Sequence, residues 1–438
     1  SITTGKVYMS VIEKERRGDY LGQTVQIVPH VTNEIQDRII RASQIDVGSG
    51  TPDITIVELG GSIGDIEISC FVEALTQLSH RVGKQNICFV HVSLIIDIHG
   101  EHKTKPTQHS IRTLRSLGIS PDLLVLRTKN MLNTNVIDKL NINCGIPKSN
   151  IICNTDLPNI YYVPDLFKQQ GICEKIADVL NIKLTNAYNL DGYYKILHHF
   201  EQKLVTVKVA IAGKYTGSQD AYLSLVRAIE HASFATNCHI EIVWIDTEKI
   251  EKNCSVEWDR LKRCDRVIIP GGFGVRGIRG MLDVCTYCRE NNVKMLGICL
   301  GFQLLSIEYA CKLGYNATSR EWSDEGFGLI HMIPDQNGIL GGTMRLGDKT
   351  SIITDDTIKT WYGTNKTTER HRHRYELTCT NAKIFEDSDL LCSAVDQKNE
   401  LVEIVRLENH PFYVGCQFHP EFISKPHKPH PLFVNLLA

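Results

Sequence analysis

The residues with the clearest chemical potential surround Cys299, where the chain reads KMLGICLGFQLLSIEYA, an apolar run, then Gly297-Ile-Cys299-Leu-Gly301, then apolar residues at helical spacing. This is a glycine-x-nucleophile-x-glycine pattern with Cys as the nucleophile. Small neighbours let a sharp strand-to-helix turn lift the side chain to the top of a sheet, and the positive end of the following helix favours thiolate. A lone Cys is more often a small buried hydrophobe; the two flanking glycines separate this one from that reading. A nucleophilic Cys needs a base, and the base needs a group to orient it. YVGCQFHPEF supplies His419, Pro420 and Glu421. In an extended segment His419 and Glu421 share one face, with Pro420 fixing the backbone between them. PGGFGVRG at Pro270 to Gly277 is a glycine cluster after a strand-like run, whose bare N–H groups suit an oxyanion.

Two clusters in the first half suit a nucleotide. DITIVELGGSIGDIE carries Glu58 at the end of an apolar run, then Asp65 and Glu67 after glycines. A carboxylate there suits a hard cation such as Mg²⁺ shared with phosphates; the plain alternative is an ordinary loop acid. EHKTKPTQHS places Lys103 and Lys105 close together on a loop held by Pro106, with Thr104, Thr107 and Gln108 as further donors. Such a cluster suits a triphosphate.

Positioning these groups calls for parallel sheets. Short runs rich in Val and Ile recur between helix-like stretches at Asp53 to Leu59, Asn86 to Ile96 and Asp122 to Arg127. The pattern restarts at Val207 to Ala212, Ile240 to Asp246, Arg266 to Gly272 and Lys294 to Gly301. The expected architecture is α/β: two doubly wound, mostly parallel-sheet domains spanning 1–180 and 205–438, joined by an irregular linker at 181–204. The 438 residues, 42% hydrophobic and 22% charged, suit a globular chain of two or three domains and exclude a disordered or fibrous one. With 48 Lys and Arg against 50 Asp and Glu the net charge is −2, so no global basic field indicates nucleic acid and any anion must be bound locally. Fifteen Cys with a single CxxC, Cys285 to Cys288, suit reduced thiols, one of them chemical, better than a disulfide framework or zinc ribbon. KPHKPHP near Lys425 reads as a C-terminal loop, with metal binding as its minor alternative. No apolar run approaches membrane-spanning length and no leader opens the chain, so a soluble, cytoplasmic protein without a membrane or nucleic-acid partner is expected.

PGGFG, GICLG and HPE, in that order, resemble a class I triad glutamine amidotransferase domain. The resemblance implies that Cys299 forms a glutamyl thioester, His419 moves its proton, Glu421 orients His419, and the N–H groups of Gly272 and Leu300 form the oxyanion hole. RHRHRYE at Arg370 to Glu376, GGTMRLG at Gly341 to Gly347 and NATSREW at Asn316 to Trp322 are similar to the glutaminase half of the CTP synthase family. That implies glutamine contacts from Gly272, Leu300, Gly301, Phe302, Gln303, Glu321 and Arg374; Trp322 stands where the family usually has Phe. Composition alone leaves the Arg and His cluster open to reading as a solvated face.

GKVYMSVIEKERRGDYLGQTVQIVPHVTNEI at Gly5 to Ile35 resembles the amidoligase domain of the same family. The resemblance implies UTP or CTP contacts from Asp65, Ile66, Glu67, Lys103, Thr104, Lys105, Pro106, Thr107, Gln108 and Lys139. It further implies ATP contacts from Thr155, Asp156 and Leu157, and Glu58 as a ligand of Mg²⁺. The loop between Ile96 and Lys103 is slightly short for the family.

No GxxxxGK[ST] occurs in the sequence. The family's phosphate cradle and an Asp metal ligand fall upstream of the position of Ser1, so the chain is expected to lack its natural N-terminus. The expected activity is glutamine-dependent, ATP-driven amination of UTP to CTP. The family also implies a homotetramer, filaments among its possible assemblies, GTP as allosteric activator and CTP as feedback inhibitor. The alternatives are a stand-alone glutamine or γ-glutamyl hydrolase, which leaves KTKPTQ and GGSIGDIE unexplained, and a non-catalytic nucleotide-sensing assembly protein.

Overall fold

The computed structural model describes residues 1–47, 50–184, 190–216, 219–332 and 344–438. Gly341–Thr343 of the GGTMRLG motif and residues 185–189 of the expected linker lie outside the described residues. The chain forms two compact units, Ser1–Tyr188 and Asn189–Ala438.

In the first unit the strands Val90–Leu94, Leu123–Thr128 and Ile151–Thr155 lie side by side and parallel, in that order. Successive side chains of a strand point to opposite faces, and both faces of the central strand Leu123–Thr128 are covered, whereas Val90, Val92 and Leu94 of the edge strand are exposed. Leu124 and Leu126 pack with Ile111, Leu140 and Cys153, whereas Leu123 and Val125 pack with Ile152 and Ile172. Asp53–Leu59, expected as a strand, carries none: Ile56 is 92% exposed, and Ile54 and Val57 are exposed with it. Its β-branched residues have no neighbouring ladder among the described residues, so the burial that fixes a strand is missing. The triphosphate-type loop is also not a loop throughout. A helix runs over Lys105–Ser116 with Pro106 in its first turn, where a missing N–H costs nothing.

The second unit is built on a nine-stranded sheet. Five parallel strands follow one another: Tyr413–Cys416, Lys294–Ile298, Arg266–Ile269, Thr206–Gly213 and His239–Asp246. Four antiparallel strands extend it through Val402–Leu407, Leu390–Asp396, Arg345–Ile353 and Lys366–His373. Alternation again serves two cores: Val267, Ile269 and Met295 face one, and Ile268, Leu296 and Ile298 face the other.

Part of the expected linker belongs to this unit. Asp191–Glu201 is a helix that buries Ile196, Leu197 and His199, with Phe200 edge-on to Phe234. Its aromatic and aliphatic residues recur at helical spacing, which outweighs the polar residues between them. Cys285 and Cys288, the one CxxC pair of the sequence, are buried inside the helix Ile278–Glu290. Burial pushes both thiols up, opposite to a reactive cysteine. In KPHKPHP, His430 is buried against Glu369 and caps the helix Pro431–Leu437 by accepting the Leu432 N–H. Among the described residues no group of three or more His, Cys, Asp or Glu is placed to hold a metal ion, and no helix is long and apolar enough to cross a membrane.

Candidate active site

Three neighbouring parallel strands deliver the reactive groups to one edge of the sheet. Cys299 follows Lys294–Ile298, the loop Pro270–Gly274 follows Arg266–Ile269, and His419 lies just beyond Tyr413–Cys416. Because the strands are parallel and adjacent, their carboxyl ends meet. Cys299 has φ 53° and ψ −98°, a strained backbone for a residue with a side chain, and Leu300 begins the helix Leu300–Lys312. That is the sharp elbow the flanking glycines predict. A Cβ at Gly297 would lie 2.6 Å from the Gly301 carbonyl oxygen, and one at Gly301 would lie 2.2 Å from that of Ile269. Larger residues at either position would push the elbow off the sheet.

His419 and Cys299 close on the same point. A Cβ added to Gly271 would stand 2.8 Å from His419 Cε1, 3.6 Å from its Nε2 and 3.4 Å from Cys299 Cβ. His419 Nδ1 lies 2.7 Å from Glu421 Oε1. A carboxylate only accepts, so Nδ1–H donates and Nε2 is turned toward the thiol. Burial alone would lower the His419 pKa; the charge of Glu421, with Cys299 beside the ring, overrides it and raises it to about 10. Cys299 is 3% exposed, yet it lines a cavity of about 210 Å³ together with Gly271, Gly272, Arg372, His419 and Glu421.

Of the oxyanion candidates, Gly272 lines this cavity and Leu300 follows Cys299 directly. Leu300, as the first residue of its helix, has an N–H with no intrahelical acceptor, and a Cβ at Gly272 would be 3.4 Å from Leu300 Cδ2. Of the glutamine contacts, Glu321 accepts the Gly274 N–H through Oε1 at 2.9 Å. Burial, then Glu321, raises the pKa of the Tyr375 phenol while Arg374 opposes them, so Glu321 and Arg374 share one neighbourhood. Gln303 is buried, and its amide donates to the Tyr375 carbonyl at 2.8 Å and to Gln417 Oε1 at 3.3 Å. Phe302 is fully buried in the core, and its carbonyl accepts from Ser306 Oγ at 2.9 Å.

Sequence reasoning missed Gln417, whose amide nitrogen is 3.8 Å from Cys299 Sγ. It lies two residues before His419, and the two-residue period of an extended chain is the signal that could have found it. It also missed Lys214 and Arg372. Behind His419 lies a buried polar network. His371 Nδ1 and His373 Nε2 are 2.8 Å apart, and Arg345 reaches both Glu376 at 3.3 Å and Glu403 at 2.7 Å. One guanidinium faces two buried carboxyls, and burial pushes Glu376 up to about 8 and Glu403 up to about 7.

The nucleotide candidates of the first unit gather less tightly. Lys103 pairs with Glu101 at 2.5 Å, and Lys103, with Lys139 also near, holds the Glu101 carboxyl below the usual range. Lys105 is exposed at the start of its helix. Thr104, Thr107 and Gln108 are buried: Gln108 donates to Thr104 Oγ1 at 3.0 Å, and Thr107 meets Ser93 at 2.8 Å. Asp65, Ile66 and Glu67 lie at an exposed turn, with Ile66 84% exposed. A Cβ at Gly64 would be 3.4 Å from Thr113, which sets this turn against the helix Lys105–Ser116. Thr155, Asp156 and Leu157 end the strand Ile151–Thr155, where Asp156 N–H donates to the Thr128 carbonyl at 3.0 Å. Glu58 is exposed and belongs to no group of three metal-ligating side chains among the described residues, so these residues alone do not fit an ion.

Residues 1–182 match the family described as CTP synthase N-terminus, and residues 218–438 match glutamine amidotransferase class-I. A CTP synthase of Prochlorococcus marinus (strain MIT 9211) is 42% identical over 446 residues, covering 100% of this chain and 79% of the relative. One from Ruminiclostridium cellulolyticum is 40% identical, covering 100% of this chain and 82% of the relative. Among solved structures, the glutaminase domain of Trypanosoma brucei CTPS with bound acivicin superposes with a TM-score of 0.50 at 32% identity, covering 53% of this chain and 92% of that one.

Proposed function

The chain belongs to the CTP synthase family, and from that membership we propose that it makes CTP by amination of UTP, with ATP as co-substrate and glutamine hydrolysed at Cys299 as the nitrogen source. The observation that carries the glutamine step is the meeting of Cys299, at its strand-to-helix elbow, with a His419 already held by Glu421.

Cys299 Sγ attacks the glutamine amide carbon. The oxyanion that forms takes hydrogen bonds from the N–H groups of Gly272 and Leu300. His419 gives its proton to the leaving nitrogen, ammonia departs, and the glutamyl group stays on sulfur as a thioester. Water, losing a proton to His419, then releases glutamate. Arg374 holds the substrate carboxylate and Glu321 its amino group, with Gln303 and the backbone of Gly301 and Phe302 beside them. In the first unit Lys103, Lys105 and Lys139 supply charge for the UTP triphosphate, with Thr104 to Gln108 and Asp65 to Glu67 around the nucleotide. Thr155 to Leu157 contact ATP. Activation of UTP by ATP at O4 makes a leaving group that ammonia displaces at C4. Ammonia released into water is protonated and ceases to be a nucleophile, which is the reason for carrying both activities on one chain. Glu58 is the carboxylate this reading gives to Mg²⁺, and no step is derived through the ion.

On resemblance to the family we also propose GTP as activator, CTP as feedback inhibitor, a homotetramer and a cytoplasmic setting. This reading gives the first activity to residues 1–180 and the second to 205–438, with the helix Asp191–Glu201 of the 181–204 segment belonging to the second unit. The test is Cys299→Ala assayed with ATP, UTP and either glutamine or ammonium chloride. Loss of CTP formation from glutamine with retention from ammonia is expected; equal loss from both overturns this division of labour.

A further inference from the structure

The loop that carries Gly272 has little of its own to hold it. Gly271, Gly272, Gly274 and Gly277 lack side chains, and the side chains of Phe273 and Val275 are 43% and 66% exposed. A glycine-rich segment without side-chain anchors populates many backbone conformations, whereas an oxyanion hole requires one.

The anchor comes from the next strand of the sheet. Lys214 follows Thr206–Gly213, which lies beside Arg266–Ile269, and it is only 5% exposed. Its Nζ donates to the carbonyls of Phe273 and Gly274, at 2.8 Å each. Its stem lies under Gly272, where an added Cβ would be 3.1 Å from Lys214 Cε. The same peptide that offers the Phe273 carbonyl to Lys214 donates its Gly274 N–H to Glu321 at 2.9 Å. A trans peptide directs its C=O and N–H in opposite directions, so a cation on one side and a carboxylate on the other fix its rotation. Arg276 adds a third tie, donating to the Lys214 carbonyl at 3.1 Å and to Glu248 at 2.8 Å.

We propose that Lys214 is a positioning residue for glutamine hydrolysis: its ammonium sets the peptides after Gly272 so that the Gly272 N–H faces the oxyanion. Lys214 itself touches neither substrate nor sulfur. A buried ammonium is costly unless its hydrogen bonds are made, and here two are made to the loop it holds. The inference rests on the Cys299 reading above and adds the device that holds its oxyanion site.

The test separates chemistry that develops an oxyanion from chemistry that does not. Glutamine hydrolysis develops one; alkylation of Cys299 by iodoacetamide, a displacement of iodide at a saturated carbon, does not. Lys214→Met is expected to lower kcat for glutamine hydrolysis by about tenfold or more, a loss of the kind seen when an oxyanion donor is misplaced, with little change in KM. Its alkylation rate should match the parent, which also shows that the elbow is folded. Lys214→Arg, which keeps a cationic donor, should recover most of the lost kcat. Parental kcat in Lys214→Met, alkylation falling in step with turnover, or equal loss in both variants overturns the assignment. Failure of the Cys299 reading would show in the parent, as turnover that survives complete alkylation of Cys299; failure of the Lys214 assignment would show only in the variants.

Discussion

His419 and Glu421 are two residues apart and 2.7 Å apart between Nδ1 and Oε1, so the backbone that places the base also places its orienting carboxylate. The ring is raised to about 10 because Glu421 and Cys299 outweigh its burial. An unfolded His titrates near ~6.5. The folded pKa is the higher one, so the stabilisation is fully present below the unfolded value, declines as pH rises above it, and is gone once pH passes about 10. His419→Asn should therefore cost most stability at and below neutral pH and progressively less toward pH 10, as urea unfolding across that range would show. A stability difference independent of pH contradicts the pairing.

Glu376 and Glu403 predict a second pH dependence. Burial raises them to about 8 and about 7, while an unfolded Glu titrates near ~4.3. Between those limits the folded state binds more protons than the unfolded one, so stability falls as pH rises. Glu403→Gln keeps a hydrogen-bonding group without the ionisable proton and should flatten that fall. An unchanged slope would place the excess proton elsewhere.

Gly271→Ala places a methyl 2.8 Å from His419 Cε1. His419 must move, and misplacement of a base by ~1 Å costs about a hundredfold in rate. Glutamine turnover should fall on that scale while thermal unfolding stays close to the parent; parental turnover would mean that the ring does not sit where this geometry places it.

Lys103→Ala and Lys105→Ala should each raise the KM for UTP by roughly tenfold, since a charge-assisted hydrogen bond contributes about 1.5 to 3 kcal/mol. Glutamine hydrolysis should be unaffected. Lys103 is paired with Glu101 in this structure, so Glu101→Gln should lower the same KM by freeing it. Unchanged UTP dependence in all three variants returns these side chains to a solvated surface.

The sequence made the reactive groups legible where residue type and spacing act together. Cys299 between two glycines and His419 two residues from Glu421 both impose local geometry, and the structure places them side by side. What stayed hidden depends on distant contacts. Lys214 reads as one Lys after a strand, and its partners Phe273 and Gly274 are 59 and 60 residues away. Asp53–Leu59 has the composition of a strand but no neighbour among the described residues, so propensity alone misled. The helix Asp191–Glu201 was hidden by its polar residues, although Ile196, Leu197 and His199 are buried. The four antiparallel strands that extend the second sheet have apolar runs too irregular to announce their pairing.

Capture of the glutamyl group on Cys299 would report the thioester itself. The protein is mixed with glutamine, quenched in acid and digested, and the mass of the Cys299 peptide is measured in the parent, Glu421→Gln and His419→Asn. A glutamyl adduct on Cys299 is expected to form fastest in the parent, more slowly without the Glu421 carboxylate, and slowest without His419. An adduct on another residue, or equal rates in all three proteins, would contradict this mechanism.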